Sequence, residues 1–305
     1  MGGSSYSRPV YSSSKGSSHS NKSRAAYQSV EKAHKDVLPS GDRRISTNVK
    51  NPIVIALDVT GSMGESTKIM FDKMPMFWGQ IEQKGYLEDP AVSFVAIGDA
   101  YTDEAPLQVT DFEKGIAIDP WLKKIWLEGN GGGQTMESYD LAALFFLEKC
   151  SVPNMEHGFF FFIGDEGYYP LLDGKSTVPI FQELMNCFDT YFIHWPYRQS
   201  TIDDKRIVED WRAILGERLL ILKDPKAIVD VILGFIAMSI GIRDLNSYAK
   251  DLKDKGQDPD RIKTVVDILS KSKNLPAVRN VKMEEYKKNI GLLSNRDPFR
   301  KRKIV

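Results

Sequence analysis

Three aspartates, Asp58, Asp99 and Asp165, each follow an apolar run, the places where acidic side chains can be gathered for chemistry. The first opens the segment Asp58-Val59-Thr60-Gly61-Ser62-Met63-Gly64, in which Asp, Thr and Ser alternate. A tight loop with two glycines can aim three such oxygens in one direction. Carboxylates packed on one rim repel, and a cation is the natural remedy. A carboxylate with hydroxyls and water is hard-ligand chemistry, suited to Mg²⁺ or Mn²⁺.

The elements that must position these residues follow from the apolar pattern. The runs at 53–57, 92–97 and 159–163 lead into Asp58, Asp99 and Asp165, and shorter runs end at His194 and Lys223. Continuous apolar stretches of this length suit strands covered on both faces. Helical patterns separate them at 67–84, 119–128, 137–150, 178–187, 203–215 and 225–242. The alternation predicts an α/β fold, a doubly wound, mostly parallel sheet flanked by helices. The segment 106–112 reads as an edge strand, where Pro106 is tolerated. In such sheets ligands bind at the carboxyl ends of the strands.

Asp58-x-Thr60-x-Ser62 after an apolar strand resembles the metal-ion-dependent adhesion site of von Willebrand factor A-type domains, where the usual pattern is Asp-x-Ser-x-Ser. Thr60 keeps the hydroxyl. The resemblance covers about residues 51–240 and implies a Rossmann-like sheet. It also implies a further hydroxyl from a downstream loop, and Gly131-Gly132-Gly133-Gln134-Thr135-Met136-Glu137 matches in place and character. Thr135 is then the candidate ligand, with Glu137 the alternative in another register. A later Asp after a core strand corresponds to Asp165. The implied metal set is Asp58, Thr60, Ser62, Thr135 and Asp165. In this scheme an open coordination position takes an Asp or Glu carboxylate from a protein partner.

The same loop is also similar to the phosphorylated loop of haloacid dehalogenase-type phosphotransferases, with Asp58 as nucleophile. Most soluble members of that family place a general acid two residues later, work that Thr60 cannot do. Their phosphate-binding Lys has no counterpart before Asp165 except Lys149, which falls in a helical pattern. The three glycines at 131–133 could cradle phosphate at a helix start, but no Lys follows them as in a P-loop. His194 reads as a strand-end polar residue, and no pair of the four histidines has metal-ligand spacing. Met70, Phe71, Met74 and Trp78 share a helical face and read as core.

Composition sets the remaining bounds. The 305 residues carry 41 basic and 41 acidic side chains, so the net charge is zero. The zero conceals a division: residues 1–50 carry 9 basic and 3 acidic residues, 51–240 carry 15 and 29, and 241–305 carry 17 and 9. Basic arms beside an acidic body can touch that body, an acidic partner or nucleic acid, or serve solubility alone. Residues 1–30 hold 11 serines and no acid, a composition that predicts disorder. Patterns at 244–255, 259–273 and 282–293 predict a charged helical extension, docked or free, ending in Arg300-Lys301-Arg302-Lys303. The expected layout is a disordered arm over 1–45, the α/β domain over 46–243 and the basic helical extension over 244–305. Cys150 and Cys187 read as reduced and buried, and no secretory signal or membrane span is expected. With the resemblance, this implies a cytoplasmic adaptor or assembly module rather than an enzyme, or a structural protein of a virus or phage.

Overall fold

The computed structural model describes residues 32–39, 41–129, 136–196, 202–271 and 298–299. The Ser-rich stretch before residue 32, Thr135 with its glycines, and the pattern at 282–293 lie outside the described residues.

The apolar runs form the central sheet. Its strands are β1 (Asn51–Asp58), β2 (Pro90–Ile97), β3 (Leu107–Val109), β4 (Phe159–Gly164), β5 (Asp189–His194) and β6 (Leu219–Ile221). Their spatial order is β6-β5-β4-β1-β2-β3. All neighbours pair in parallel except β3, which runs antiparallel at the edge beside β2. Every residue of β1 and β4 is buried, as expected for strands covered on both faces.

Alternation along β1 divides the core in two. Ile53, Ile55 and Leu57 face a cluster built with α1 (Gly64–Phe71), α2 (Met74–Lys84) and α7 (Ile228–Ser239). Val54 and Ala56 face a second cluster built with α4 (Tyr139–Lys149), α5 (Val178–Cys187) and α6 (Ile202–Leu215). The short α3 (Ile118–Leu122) sends Ile118 and Leu122 into the first cluster. Phe160 and Phe162 are fully buried in the second, and burial of each such side chain contributes about 1.5–3 kcal/mol.

The helical pattern after Gly241 gives α8 (Leu245–Asp254) and α9 (Pro259–Ser270), and both are docked. Leu245, Tyr248, Leu252, Val265, Ile268 and Leu269 join the first cluster. The contact with α7 is close: a Cβ at Gly234 would stand 2.5 Å from Leu269 Cδ1 and 2.8 Å from Tyr248 Cε1. Helix α7 is apolar nearly all round and is buried accordingly. No helix among the described residues is long and apolar enough to cross a membrane.

Local differences from the sequence expectations have physical causes. The pattern at 67–84 forms two helices, with Pro75 in the first turn of the second, where its missing N–H is harmless. Of 119–128, only the first turn and a half is helical. The strip beyond it lies along β3: Trp126 donates its backbone N–H to Gln108 Oε1, and Gln108 Nε2 donates to the Trp126 carbonyl, both at 2.7 Å. Within the expected arm over 1–45, a single helical turn forms at Lys35–Val37, where the His34 side chain accepts the Asp36 N–H. Both cysteines are buried and neither is in a disulfide, and burial pushes the Cys187 thiol up to about 12.

Candidate metal centre

Strands β1 and β4 are hydrogen-bonded neighbours, so Asp58 and Asp165 leave the sheet side by side at its carboxyl edge. Asp58 is fully buried and Asp165 is 5% exposed. The Thr60 backbone N–H and hydroxyl both donate to Asp58 Oδ1, at 2.9 and 2.5 Å. Thr60 Oγ1 lies 3.2 Å from Ser62 Oγ, and the Ser62 hydroxyl donates to Asp165 Oδ1 at 3.1 Å. Four oxygens from two strand ends therefore form a continuous run. A serine or threonine after a strand often caps the next helix. Here neither Thr60 nor the start of α1 shows a side-chain cap bond, and both hydroxyls turn to the carboxylates instead.

The second oxygen of Asp58 is held from the core side. The Tyr139 hydroxyl donates to Asp58 Oδ2 at 2.7 Å, and the Thr67 hydroxyl donates to the Asp58 carbonyl at 3.2 Å. Residues 136–139 are stapled across the rim. Met136 and Glu137 pair in parallel with Gly167 and Tyr168. The Ser138 N–H donates to the Gly98 carbonyl, and its hydroxyl accepts the Ala100 N–H. Glu137 is 3% exposed, and its Oε2 has no hydrogen-bond partner among the described residues.

The electrostatics of the rim are those of mutually reinforcing acids. Burial raises Asp58 above the usual carboxylate range, against the opposing hydrogen bonds from Thr60 and Tyr139. Burial, then the charges of Asp58 and Glu166, push Asp165 up to about 8. Burial raises Glu137 well above its ordinary value, and Asp58, Asp99, Asp103 and Glu166 add to the rise.

Asp99 is not part of the oxygen run. Its Oδ1 accepts the Tyr101 N–H and the Tyr169 hydroxyl, and its Oδ2 accepts the Thr102 hydroxyl, so it closes its own loop. Glu65 is exposed on α1, and Glu166 is buried beside Asp165. His194 is buried at the end of β5, with Nε2 2.8 Å from Asp204 Oδ1. The sequence reading did not mark Tyr139, Thr67 or Tyr169, because nothing in their types or spacing ties them to the carboxylates.

The donor set can be tested against a cation. Adjacent oxygens around an octahedral Mg²⁺, each about 2.1 Å from the ion, stand about 3 Å apart. The separations of 2.5, 3.2 and 3.1 Å along Asp58, Thr60, Ser62 and Asp165 are close to that spacing. Among the described residues, no three His, Cys, Asp or Glu side chains are grouped to hold a metal by themselves. A cation at this rim would therefore rely on the hydroxyls as well as the acids, which suits a hard dication.

No protein-family model matches the chain, and no curated protein matches it. Similar solved structures include the pilus adhesin SpaC from Lactobacillus rhamnosus GG. One form aligns at 11% identity and a TM-score of 0.45, over 65% of this chain and 32% of the adhesin chain. Its open conformation aligns at 10% identity and a TM-score of 0.46, over 65% and 31%. The chain thus spans less than a third of the adhesin's length. The likeness is loose.

Proposed function

We propose that the protein is a metal-dependent protein-binding module of von Willebrand factor A type, with a doubly wound sheet and a Mg²⁺ or Mn²⁺ site at its carboxyl rim. The observation that carries this reading is the run of four oxygens from Asp58 to Asp165. Support comes also from the place of that run, outside the carboxyl ends of adjacent parallel strands, where open α/β sheets bind ligands.

In this reading Thr60 and Ser62 present hydroxyl oxygens, and Asp58 and Asp165 present carboxylates directly or through water. Thr135, or Glu137 from the same segment, completes the protein's share of the ligands. A bound dication would supply a hard, positively charged position for one carboxylate of a partner protein. The acidic body repels an acidic partner at long range, but that repulsion is screened beyond about 8 Å at physiological salt. The contact is therefore decided locally at the rim. Its expected role is that of an adaptor or assembly factor without catalysis of its own.

The test is recovery of partners from the native source with Mg²⁺ and then with EDTA, for the wild type, Thr135→Ala and Asp165→Ala. Partners should be lost with EDTA and weakened sharply by either substitution. A partner set indifferent to EDTA and to both substitutions would overturn the reading and shift recognition to the basic arms.

A further inference from the structure

The bond from Tyr139 to Asp58 is fixed from several sides. Tyr139 is the first residue of α4 and is fully buried. Its ring meets Phe162, Phe192 and Trp211 edge-on, at centroid distances of 6.0, 5.2 and 5.4 Å. Gly164 leaves the room it needs, since a Cβ at that position would overlap the Tyr139 hydroxyl oxygen. The two oxygens of Asp58 are thereby divided. Oδ2 accepts from the phenol on the core side, and Oδ1 begins the run through Thr60 and Ser62 to Asp165.

We propose that Tyr139 is a positioning residue that confines Asp58 to one rim-facing oxygen and so sets a preference for Mg²⁺ or Mn²⁺ over Ca²⁺. The inference rests on the metal reading above. Mg²⁺ demands a near-ideal octahedron of single oxygens, whereas Ca²⁺ accepts six to eight oxygens and takes carboxylates in bidentate fashion. A carboxylate whose second oxygen is held on the core side by a buried phenol does not present both oxygens to a rim cation. Once the phenol is gone, Oδ2 is free to turn toward the rim, and the larger ion gains a ligand that the smaller one cannot use. Groups that orient a metal's ligands in this way typically change its affinity 10–100-fold.

The experiment is calorimetric titration of the full chain with Mg²⁺, Mn²⁺ and Ca²⁺, for the wild type and Tyr139→Phe. The phenylalanine keeps the ring packing, and circular dichroism with a melting curve confirms the fold. Mg²⁺ affinity should fall about tenfold while Ca²⁺ affinity holds or rises, so the Mg²⁺/Ca²⁺ ratio drops. Gly164→Ala, which displaces the phenol while keeping the tyrosine, should move the ratio in the same direction. Equal losses for all three ions would mean a merely structural role and would overturn the proposal, as would unchanged affinities in both variants. A wild type that binds none of the three ions would overturn the metal reading itself, and this inference with it.

Discussion

Asp58 and Asp230 are the same residue type, similarly buried, yet their surroundings differ in kind. Asp230 lies in α7 with 3% exposure. Burial raises it, but Arg261, Lys73 and Lys84 all oppose that rise, and Gln257 Nε2 donates to Oδ2 at 2.9 Å. The docked helices are joined around it: the Tyr248 hydroxyl donates to the Asp230 carbonyl, and Arg243 and Tyr86 both engage Asp251. At the rim, by contrast, Asp58 and Glu166 raise Asp165 further. A buried carboxylate answered by cations and amide donors is part of the architecture. One surrounded by other carboxylates keeps its proton until a cation takes that proton's place.

The comparison breaks most decisively through metal binding. Asp58→Ala should reduce Mg²⁺ or Mn²⁺ affinity at least about a hundredfold, the upper range for disturbing a metal's surroundings. Asp230→Ala should leave it unchanged. Calorimetry on the two variants side by side decides this, and equal binding by wild type and Asp58→Ala would remove Asp58 from the site.

Stability should show the reverse order. Asp230→Ala deprives Gln257 of its acceptor and the surrounding cations of their counter-charge, so it should cost about 1–3 kcal/mol. In EDTA, Asp58→Ala should cost less, because it removes a repelling charge along with its hydrogen bonds. Urea unfolding of both metal-free variants measures the difference.

A smaller effect sharpens the Asp230 side of the comparison. Lys84 Nζ is buried without a hydrogen-bond partner among the described residues, 3.9 Å from Asp251 Oδ2. Burial, followed by the charge of Lys255, lowers it to about 8. The folded state therefore releases this proton before the unfolded state does. Its unfavourable contribution is full below about pH 8 and fades as pH rises toward the ordinary lysine value. Lys84→Met should raise the melting temperature at pH 7 by a few degrees, at about 2–4 °C per kcal/mol. It should also flatten the rise in stability of the wild type between about pH 8 and 10.5. A variant less stable than wild type at pH 7 would show that the Asp251 contact outweighs burial.

The smallest expected effect is none. Incubation with acetyl phosphate or ATP should leave Asp58 unmodified, since its oxygens are engaged by Thr60 and Tyr139. An acyl-phosphate adduct at Asp58, found by mass spectrometry, would promote the phosphotransferase reading.

Apolar runs and the residues that end them were enough to read the strands from sequence, because a strand covered on both faces must be apolar throughout. The same reading placed Asp58 and Asp165 at strand ends, because the polar residue that closes an apolar run stands where the strand stops. The helices at 178–187, 203–215 and 244–255 were legible from their periodicity for a similar reason: local spacing decides which face is buried. What lay beyond reach were relations between segments distant in the chain. Asp99 follows its strand as Asp165 does, yet Tyr169, 70 positions away, draws it into a separate loop. Tyr139 bonds Asp58 across 81 positions only because Gly164 leaves it space. Local pattern determined which side chains could stand at the rim; the packing of strands and helices decided which oxygens meet, because a hydrogen bond depends on positions in space that spacing along the chain does not encode.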